Sequence, residues 1–233
     1  MKLPPFTLTR AESVDHAVAT LAELGPDAKV LAGGQSLIPL MSLRLAVPTH
    51  LVDVSDLREL SYVGDDGAVL SVGGTTTHAA FERESRHLGP SWQAVRDALP
   101  LIGHLPIRTR GTIGGSLAHA DATAELPLLA QTLDAEIVAA SREGRRTVAA
   151  AGFFKSIMTT ALEPDELIIE IRFPHPPSGA RSAFEEFSER AGDFALASAC
   201  VAVALRPDGT CSWARVGLGA IAGRPIRSES AEA

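Results

Sequence analysis

Two glycine-rich turns constrain the fold of this 233-residue chain more than any other feature. The first, AGGQS at 32–36, follows the short apolar run 29–31, and the second, GTIGGS, occupies 111–116. Glycine has no Cβ atom, so the backbone N–H groups of such turns can approach an anion closely. Each turn also carries a hydroxyl side chain, Ser36 or Ser116. One such turn is weak evidence of binding, whereas two predict a single extended ligand that contains a pyrophosphate.

Other common sites do not fit the residues around these turns. The lysine of a Walker A loop is absent, and Gly33-Gly34 does not extend into a G-x-G-x-x-G fingerprint. Neither turn serine stands in the G-x-S-x-G frame of a hydrolase nucleophile. The histidines His78, His104 and His119 lack the H-x-x-x-H spacing of metal ligands, so we expect no metal site.

Two carboxylates, Asp121 and Glu125, follow the second turn at i, i+4 spacing. If a helix begins early enough, this spacing places both on one face. A carboxylate there would bind the hydroxyls of a ribose whose diphosphate lies at the glycines. Alternatively, Asp121 or Thr123 caps the helix and Glu125 lies in its first turn, near the positive end of the helix dipole. Both interpretations remain open at this point.

Composition narrows the class of protein. A formal net charge of −7 argues against nucleic acid or an anionic membrane as the main partner. No apolar run approaches the ~20 residues that cross a bilayer, and residues 1–10 lack the pattern of a signal peptide. The two cysteines, Cys200 and Cys211, are too few for a disulfide scaffold or an iron–sulfur cluster. We therefore expect a globular protein of the cytoplasm.

Periodicity predicts a mixture of helices and strands. Apolar spacing predicts a helix over 13–24, and 135–149 reads as a hairpin. The proline-rich segment 175–179 is typical of a linker. Beyond it the chain is strand-like at 182–187, 194–205 and 210–221, with a tight turn at Pro207-Asp208-Gly209. The polar tail 227–233 is expected to be frayed.

Four segments together carry a more specific pattern. They are LAGGQSLIPLMSLRLAVPTHLVDVSDL (31–57), GGTTTH (73–78), IGHLPIRTRGTIGGSLAHADATAELP (102–127) and RAGDFALASA (190–199). They resemble the FAD-binding medium subunits of molybdenum hydroxylases, the group of carbon monoxide dehydrogenase medium subunits and the flavin domain of xanthine dehydrogenase. The resemblance extends from the N-terminus to about residue 222.

The resemblance implies an α+β fold. Two subdomains of the vanillyl-alcohol-oxidase or PCMH type would bind FAD, and a C-terminal antiparallel α+β domain would follow. The expected domains are residues 1–55, 56–176 and 177–233. Relatives usually continue for several dozen residues, so the C-terminal domain is expected to be truncated.

The resemblance also implies a set of residues that bind FAD. Backbone amides of 30–37 and 112–116 would hold the diphosphate, Asp121 and Glu125 would bind ribityl or ribose hydroxyls, and Arg190 would lie near the exposed flavin face. No side chain is expected to be catalytic, because the flavin itself carries the redox chemistry. The implied contacts are Val30, Leu31, Ala32, Gly33, Gly34, Gln35, Ser36, Leu37, Thr76, Thr77, His78, Ile102, Thr112, Ile113, Gly114, Gly115, Ser116, Asp121, Glu125, Ile168, Asp193 and Phe194.

The function that the resemblance implies is electron transfer within a complex. Electrons would leave a molybdopterin site in a large partner, cross 2Fe–2S clusters in a small partner and reach FAD, which would pass them to NAD, a quinone or another acceptor. The complex would be a heterotrimer, itself dimerised. Two alternatives stay open: a self-contained FAD oxidoreductase, and a truncated, non-catalytic flavin-binding or scaffold protein.

One position departs from the pattern of the family. Many relatives carry a lysine near position 185 or 186, where this chain has Glu185 and Glu186. A cation near the flavin favours the reduced, anionic ring. Its loss is therefore expected to lower the flavin potential or to change the preferred electron acceptor.

Overall fold

The computed structural model describes residues 2–233, which form three larger β-sheets in succession along the chain. The elements of the first are β1 (Thr7–Arg10), α1 (Val14–Leu24), β2 (Ala28–Leu31), α2 (Leu37–Ser42) and β3 (His50–Asp53). Its three strands are parallel, in the order β1–β3–β2. The strand β2 runs directly into the first glycine turn.

Helix α1 confirms the helix predicted from apolar spacing. Ala17, Val18 and Leu21 are buried on one face. The Ser13 hydroxyl caps the start by accepting a hydrogen bond from His16 N at 3.1 Å. The helix ends at Gly25, whose φ of 66° lies in the left-handed region that favours glycine.

The second sheet is antiparallel and central. Its region contains β4 (Val63–Asp65), β5 (Val69–Gly73), α3 (His78–Ser85), α4 (Gln93–Ala98), α5 (Leu105–Arg108), α6 (Ile113–His119), α7 (Glu125–Thr132), β6 (Glu136–Ser141), β7 (Gly144–Ala149), α8 (Ala150–Phe153), the small pair β8 (Phe154–Ser156) and β9 (Thr159–Thr160), and β10 (Leu167–Pro174). The strand order is β4–β5–β10–β6–β7. The hairpin expected over 135–149 is therefore confirmed as β6 and β7.

Both faces of this central sheet are covered. On one face, Leu167 and Ile169 of β10 pack in a core that also contains Leu21 of α1. On the other, Ile171 shares a larger core with α3, α4, α6, α7 and α8, including the fully buried Phe81. A bulge between Ile168 and Glu170 shifts the register of β10, so Ile171 faces the opposite core from Ile169 although the two are only two residues apart.

The third sheet is antiparallel. It consists of β11 (Arg181–Ser188), β12 (Ala195–Leu205), β13 (Cys211–Gly219) and β14 (Ile226–Arg227), hydrogen-bonded in that order, followed by α9 (Glu229–Glu232). Helix α7 packs against β12 and β13, and Cys200 lies in the same core as α7. The predicted tight turn is confirmed: Gly209 has a φ of 86°, and Asp208 Oδ1 accepts a hydrogen bond from Thr210 N at 2.9 Å.

The architecture is the α+β fold that the resemblance implies, with an antiparallel sheet at its C-terminal end. The division at residues 1–55, 56–176 and 177–233 stays a prediction. Among residues 2–233, none of the helices combines the length and apolar character that a membrane span requires.

One local expectation is wrong and another is confirmed. The tail does not fray, because Glu229–Glu232 forms α9 and Glu232 Oε1 accepts hydrogen bonds from Val216 N at 2.9 Å and from Arg227 Nε at 2.7 Å. The segment 175–179 is the expected linker, since it joins β10 of the second sheet to β11 of the third, and His175 N anchors its start by donating to Ala68 O at 2.8 Å. In both places a partner distant in sequence orders a polar segment.

Candidate functional site

A cavity of about 930 Å³ lies where the first glycine turn, the second glycine turn and the loop between β11 and β12 meet. All of the residues expected to contact a ligand line this cavity except Thr76, Thr77 and Ile113. Residues 30–37 form one wall, 112–116 contribute to another, and Asp193 and Phe194 approach from the third sheet. The structure therefore brings most of the predicted set together.

The three exceptions belong to the framework around the cavity. Thr76 Oγ1 donates to Tyr62 O at 2.9 Å and accepts from Tyr62 N at 3.0 Å, which joins two segments of backbone. Thr77 Oγ1 caps α3 by accepting from Ala80 N at 3.2 Å. Ile113 is completely buried in the larger core.

The first turn offers free hydrogen-bond donors. Within residues 2–233, the N–H groups of Gly33, Gly34, Gln35 and Ser36 donate to no protein acceptor. Gly34 has a φ of 73°, a conformation that favours glycine. Gln35 Nε2 donates to Gly33 O at 2.9 Å and so braces the loop. Successive unpaired N–H groups beside a cavity are suited to an anion such as a diphosphate.

Gly33 also brings the two turns into contact. A Cβ atom at this position would overlap the carbonyl oxygen of Arg110 and lie 2.8 Å from Gly111 Cα. Both neighbours are backbone atoms, so the overlap has no flexible side chain to relieve it. Glycine is therefore required at Gly33 for the turns to approach each other.

The second turn differs from the expectation that its N–H groups are bare. Gly114 N donates to Gly74 O at 3.0 Å, and a Cβ atom at Gly114 would lie 2.5 Å from that oxygen. This glycine is needed for packing against the end of β5. Ile113 N donates to Thr76 O, Gly115 N to Thr112 Oγ1, and Ser116 N to Thr112 O, whereas Thr112 N has no protein acceptor among residues 2–233 and stays free at the cavity wall.

The side chain of Ser116 remains at the cavity wall. Its Oγ lies 3.1 Å from Nε2 of His78, a residue that is 3% exposed. Burial lowers the pKa of His78 to about 4, so its ring is neutral near pH 7. The site therefore contains a neutral, buried imidazole in contact with a hydroxyl.

Two carboxyl groups line another part of the cavity. Asp121 and Glu125 do not share a helix face, because α7 begins at Glu125. The capping alternative is right in one part: Glu125 lies in the first turn of α7, but the cap position is Ala124, and Asp121 Oδ1 instead accepts from Thr123 N at 2.9 Å. Glu125 is 7% exposed. Burial, together with the nearby charges of Glu186 and Asp121, raises the pKa of Glu125 to about 7.

Glu185 and Glu186 point to opposite faces of the third sheet. They pair with the consecutive residues Ala199 and Ser198 of β12, and side chains alternate along a strand. Glu185 is exposed, whereas Oε2 of Glu186 is buried without a hydrogen-bond partner in the part of the chain that the structure describes. Burial raises the pKa of Glu186. Of the two, Glu186 is the one close enough to Glu125 to affect its pKa, although Glu186 itself lies outside the cavity lining.

The loop between β11 and β12 closes one side of the cavity. Gly192 has a φ of 85°, and a Cβ atom there would lie 2.5 Å from Cε1 of His104. Phe194 lines the cavity and is 70% exposed. Arg190, expected near the same place, lies outside the lining.

Sequence reasoning missed a further wall, formed by residues 158–160, 162–164 and 166–167. Met158 has a φ of 52° and its N donates to Ala120 O at 3.1 Å. This segment has no glycine pair, histidine or other motif that would single it out. Its approach to the cavity depends on tertiary contact.

Comparisons with known proteins agree with this site. Residues 4–176 match the family described as the FAD binding domain in molybdopterin dehydrogenase, and residues 182–233 match the CO dehydrogenase flavoprotein C-terminal domain. The chain is 40% identical over 232 residues to the 6-hydroxypseudooxynicotine dehydrogenase complex subunit alpha of Paenarthrobacter nicotinovorans, covering 100% of this chain and 78% of that relative. It is 39% identical over 226 residues to the carbon monoxide dehydrogenase medium chain of Afipia carboxidovorans, covering 97% of this chain and 78% of that relative.

Solved structures show the same fold. A chain of the cyanide-inactivated Cu,Mo-CO dehydrogenase matches with a TM-score of 0.95 at 39% identity, covering 100% of this chain and 80% of the other. A chain of quinoline 2-oxidoreductase from Pseudomonas putida 86 matches with a TM-score of 0.91 at 36% identity, again covering 100% and 80%. The unpaired N–H groups of the first turn and the carboxyl groups beyond them fit the diphosphate and hydroxyls of FAD. The chain therefore belongs to the FAD-binding medium subunits of molybdenum hydroxylase-type complexes, which are oxidoreductases, and FAD is its cofactor.

Proposed function

We propose that this chain carries electrons between a small 2Fe–2S subunit and an external acceptor, in a complex whose large subunit holds molybdopterin. The observation that carries the proposal is the cavity at which two glycine turns and three sheets meet, in a chain of this family. Bound FAD supplies the redox chemistry, and its acceptor is NAD, a quinone or another oxidant. The heterotrimer, dimerised, is the assembly that this role requires.

The roles of the site residues follow from their placement. The N–H groups of 33–36 bind the diphosphate, because they form a run of successive unpaired donors at the cavity wall. Asp121 and Glu125 bind ribityl or ribose hydroxyls. The apolar side chains of Ile102 and Ile168 pack beside the ring system and exclude water from it.

Purification from the native host tests the proposal. We expect the chain to copurify with two other subunits, with FAD, iron and molybdenum in the same complex. Rapid mixing of the reduced complex with NAD⁺ and with a quinone then identifies the acceptor from the rate at which flavin absorbance returns. FAD alone with full turnover would instead support a self-contained oxidoreductase. A colourless chain without partners would leave only a scaffold role.

Glu186 tests whether a charge on the inner sheet face tunes the flavin. Glu186→Lys is expected to raise the flavin midpoint potential by about 30 mV, equivalent to ~1.4 kcal/mol for a two-electron couple. A cation beside the cavity stabilises the reduced, anionic ring. Spectroelectrochemical titration of the FAD-loaded protein measures the shift.

Glu185→Lys is the matched control, because it makes the same charge change on the opposite face of the same strand. We expect the flavin midpoint potential of the Glu185→Lys variant to stay within the experimental error of the wild-type value. Equal shifts in the two variants would mean that net charge, and not the position of Glu186, sets the potential.

A further inference from the structure

We infer that His78 is a positioning residue, which holds the Ser116 hydroxyl so that its hydrogen is free to be donated to the anionic centre of the bound cofactor. The inference deepens the proposed function and rests on its placement of the diphosphate beside the glycine turns. It assigns to the second turn a side-chain donor, because most of the backbone donors expected from its sequence bond within the protein.

The first step concerns what the second turn can offer a ligand. Its N–H groups from residue 113 to 116 all donate to protein acceptors, on Thr76, Gly74 and Thr112. The hydroxyl of Ser116 lines the same cavity and has one protein contact, with His78 Nε2. The hydroxyl is therefore the side chain that adds a donor to the one backbone N–H of this turn, that of Thr112, which has no protein acceptor in the described part of the chain.

The second step concerns how firmly the imidazole is held. His78 N donates to Gly111 O at 2.9 Å, and α3 begins at this residue with Thr77 as its cap. A Cβ atom at Gly111 would lie 2.9 Å from Cε1 and 3.1 Å from Nδ1 of His78, so the backbone of the second turn packs against the ring. The ring is therefore fixed by its own backbone and by its neighbour.

The third step is the direction of the hydrogen bond. His78 Nδ1 is buried, and it has no hydrogen-bond partner among residues 2–233. If Ser116 donated to Nε2, the neutral ring would carry its proton on Nδ1, which would leave a buried N–H donor without an acceptor. If Nε2 carries the proton, it donates to Ser116 Oγ and only a lone pair on Nδ1 is unpaired. The second tautomer avoids the unsatisfied N–H.

The consequence is that Ser116 faces the cavity as a donor. Its oxygen accepts from His78 Nε2, so its own hydrogen can point to an acceptor in the cavity. Hydrogen bonds to ionised acceptors such as phosphate oxygens are stronger than bonds between neutral groups. The low pKa of His78 keeps this arrangement unchanged near neutral pH.

The dissociation constant of FAD, measured by fluorescence on the cofactor-depleted full chain, tests the inference. We expect His78→Phe, which removes the donor, to weaken FAD binding about tenfold. His78→Gln can place an amide N–H near the position of Nε2, so it is expected to stay within about twofold of wild type. Ser116→Ala is expected to weaken binding about tenfold by itself.

A double-mutant cycle separates positioning from a structural role. If His78 acts through Ser116, adding His78→Phe to Ser116→Ala changes the dissociation constant by less than about twofold. A further tenfold loss in that background, or a Gln variant as weak as the Phe variant, would overturn the inference. The shorter amide of His78→Asn can reach the place of Nδ1 but not that of Nε2. We therefore expect its dissociation constant for FAD to match that of His78→Phe. It replaces the Phe variant if that variant does not fold. A wild-type chain that fails to bind FAD would instead refute the proposed function.

Discussion

Replacing Gly33 with alanine is expected to weaken FAD binding by about 100-fold or more, a loss of ~2.7 kcal/mol. The added Cβ atom would overlap the Arg110 carbonyl oxygen and lie 2.8 Å from Gly111 Cα, so the two turns must separate. Their contact forms the part of the cavity that holds the unpaired N–H groups. Fluorescence titration of the cofactor-depleted chain with FAD measures the loss.

The Gly33 variant is expected to keep its fold. Gly33 and Arg110 lie outside both hydrophobic cores, so circular dichroism should match the wild-type spectrum. Gly152→Ala is the control, because a Cβ atom at Gly152 meets nothing within 4 Å. An alanine variant at Gly33 with wild-type FAD affinity would show that the contact between the turns does not shape the site.

The stability of the cofactor-free chain is expected to depend on pH through Glu125. The pKa of this carboxyl rises from 4.5 to about 7 on folding, so the folded chain binds its proton more tightly than the unfolded chain. The resulting stabilisation is complete below pH 4.5 and is lost as the pH rises through about 7. Relative to Glu125→Gln, the free energy of unfolding should fall by about 3 kcal/mol across this range.

Urea denaturation at several pH values measures the difference between wild type and Glu125→Gln. His78 contributes with the opposite slope, because its pKa falls from 6.5 to about 4, and its stabilisation is lost as the pH falls. Both proteins contain His78, so its contribution cancels in the difference. A difference that is constant with pH would show that Glu125 is not buried as the structure has it.

Local signals made much of the site predictable. The glycine turns combine glycine, hydroxyl and a preceding apolar strand within a few residues, and such patterns are visible without tertiary information. The second turn shows the limit, because its N–H groups bond to Gly74 and Thr76, which are remote in sequence. A glycine required for packing and a glycine required for ligand approach look alike in a sequence.

Other errors have a similar cause. Capping by Asp121 depended on where α7 begins, and the helix begins later, at Glu125. The order of the tail depends on contacts of Glu232 with β13 and with Arg227. The alternation of Glu185 and Glu186 is a local property, but which of them faces inward depends on the sheet packing against α7.

The meeting of all three sheets at one cavity also affects how long the polypeptide survives. A ligand that contacts β2, β10 and the loop before β12 couples the unfolding of the three sheets, because none can unfold without losing contacts to that ligand. Such a ligand at a hundredfold excess over its dissociation constant stabilises the native state by about 2.7 kcal/mol. Proteases act on the opened state, whose population falls accordingly. The chain without its cofactor is therefore expected to be cleaved faster by proteases than the FAD-bound chain.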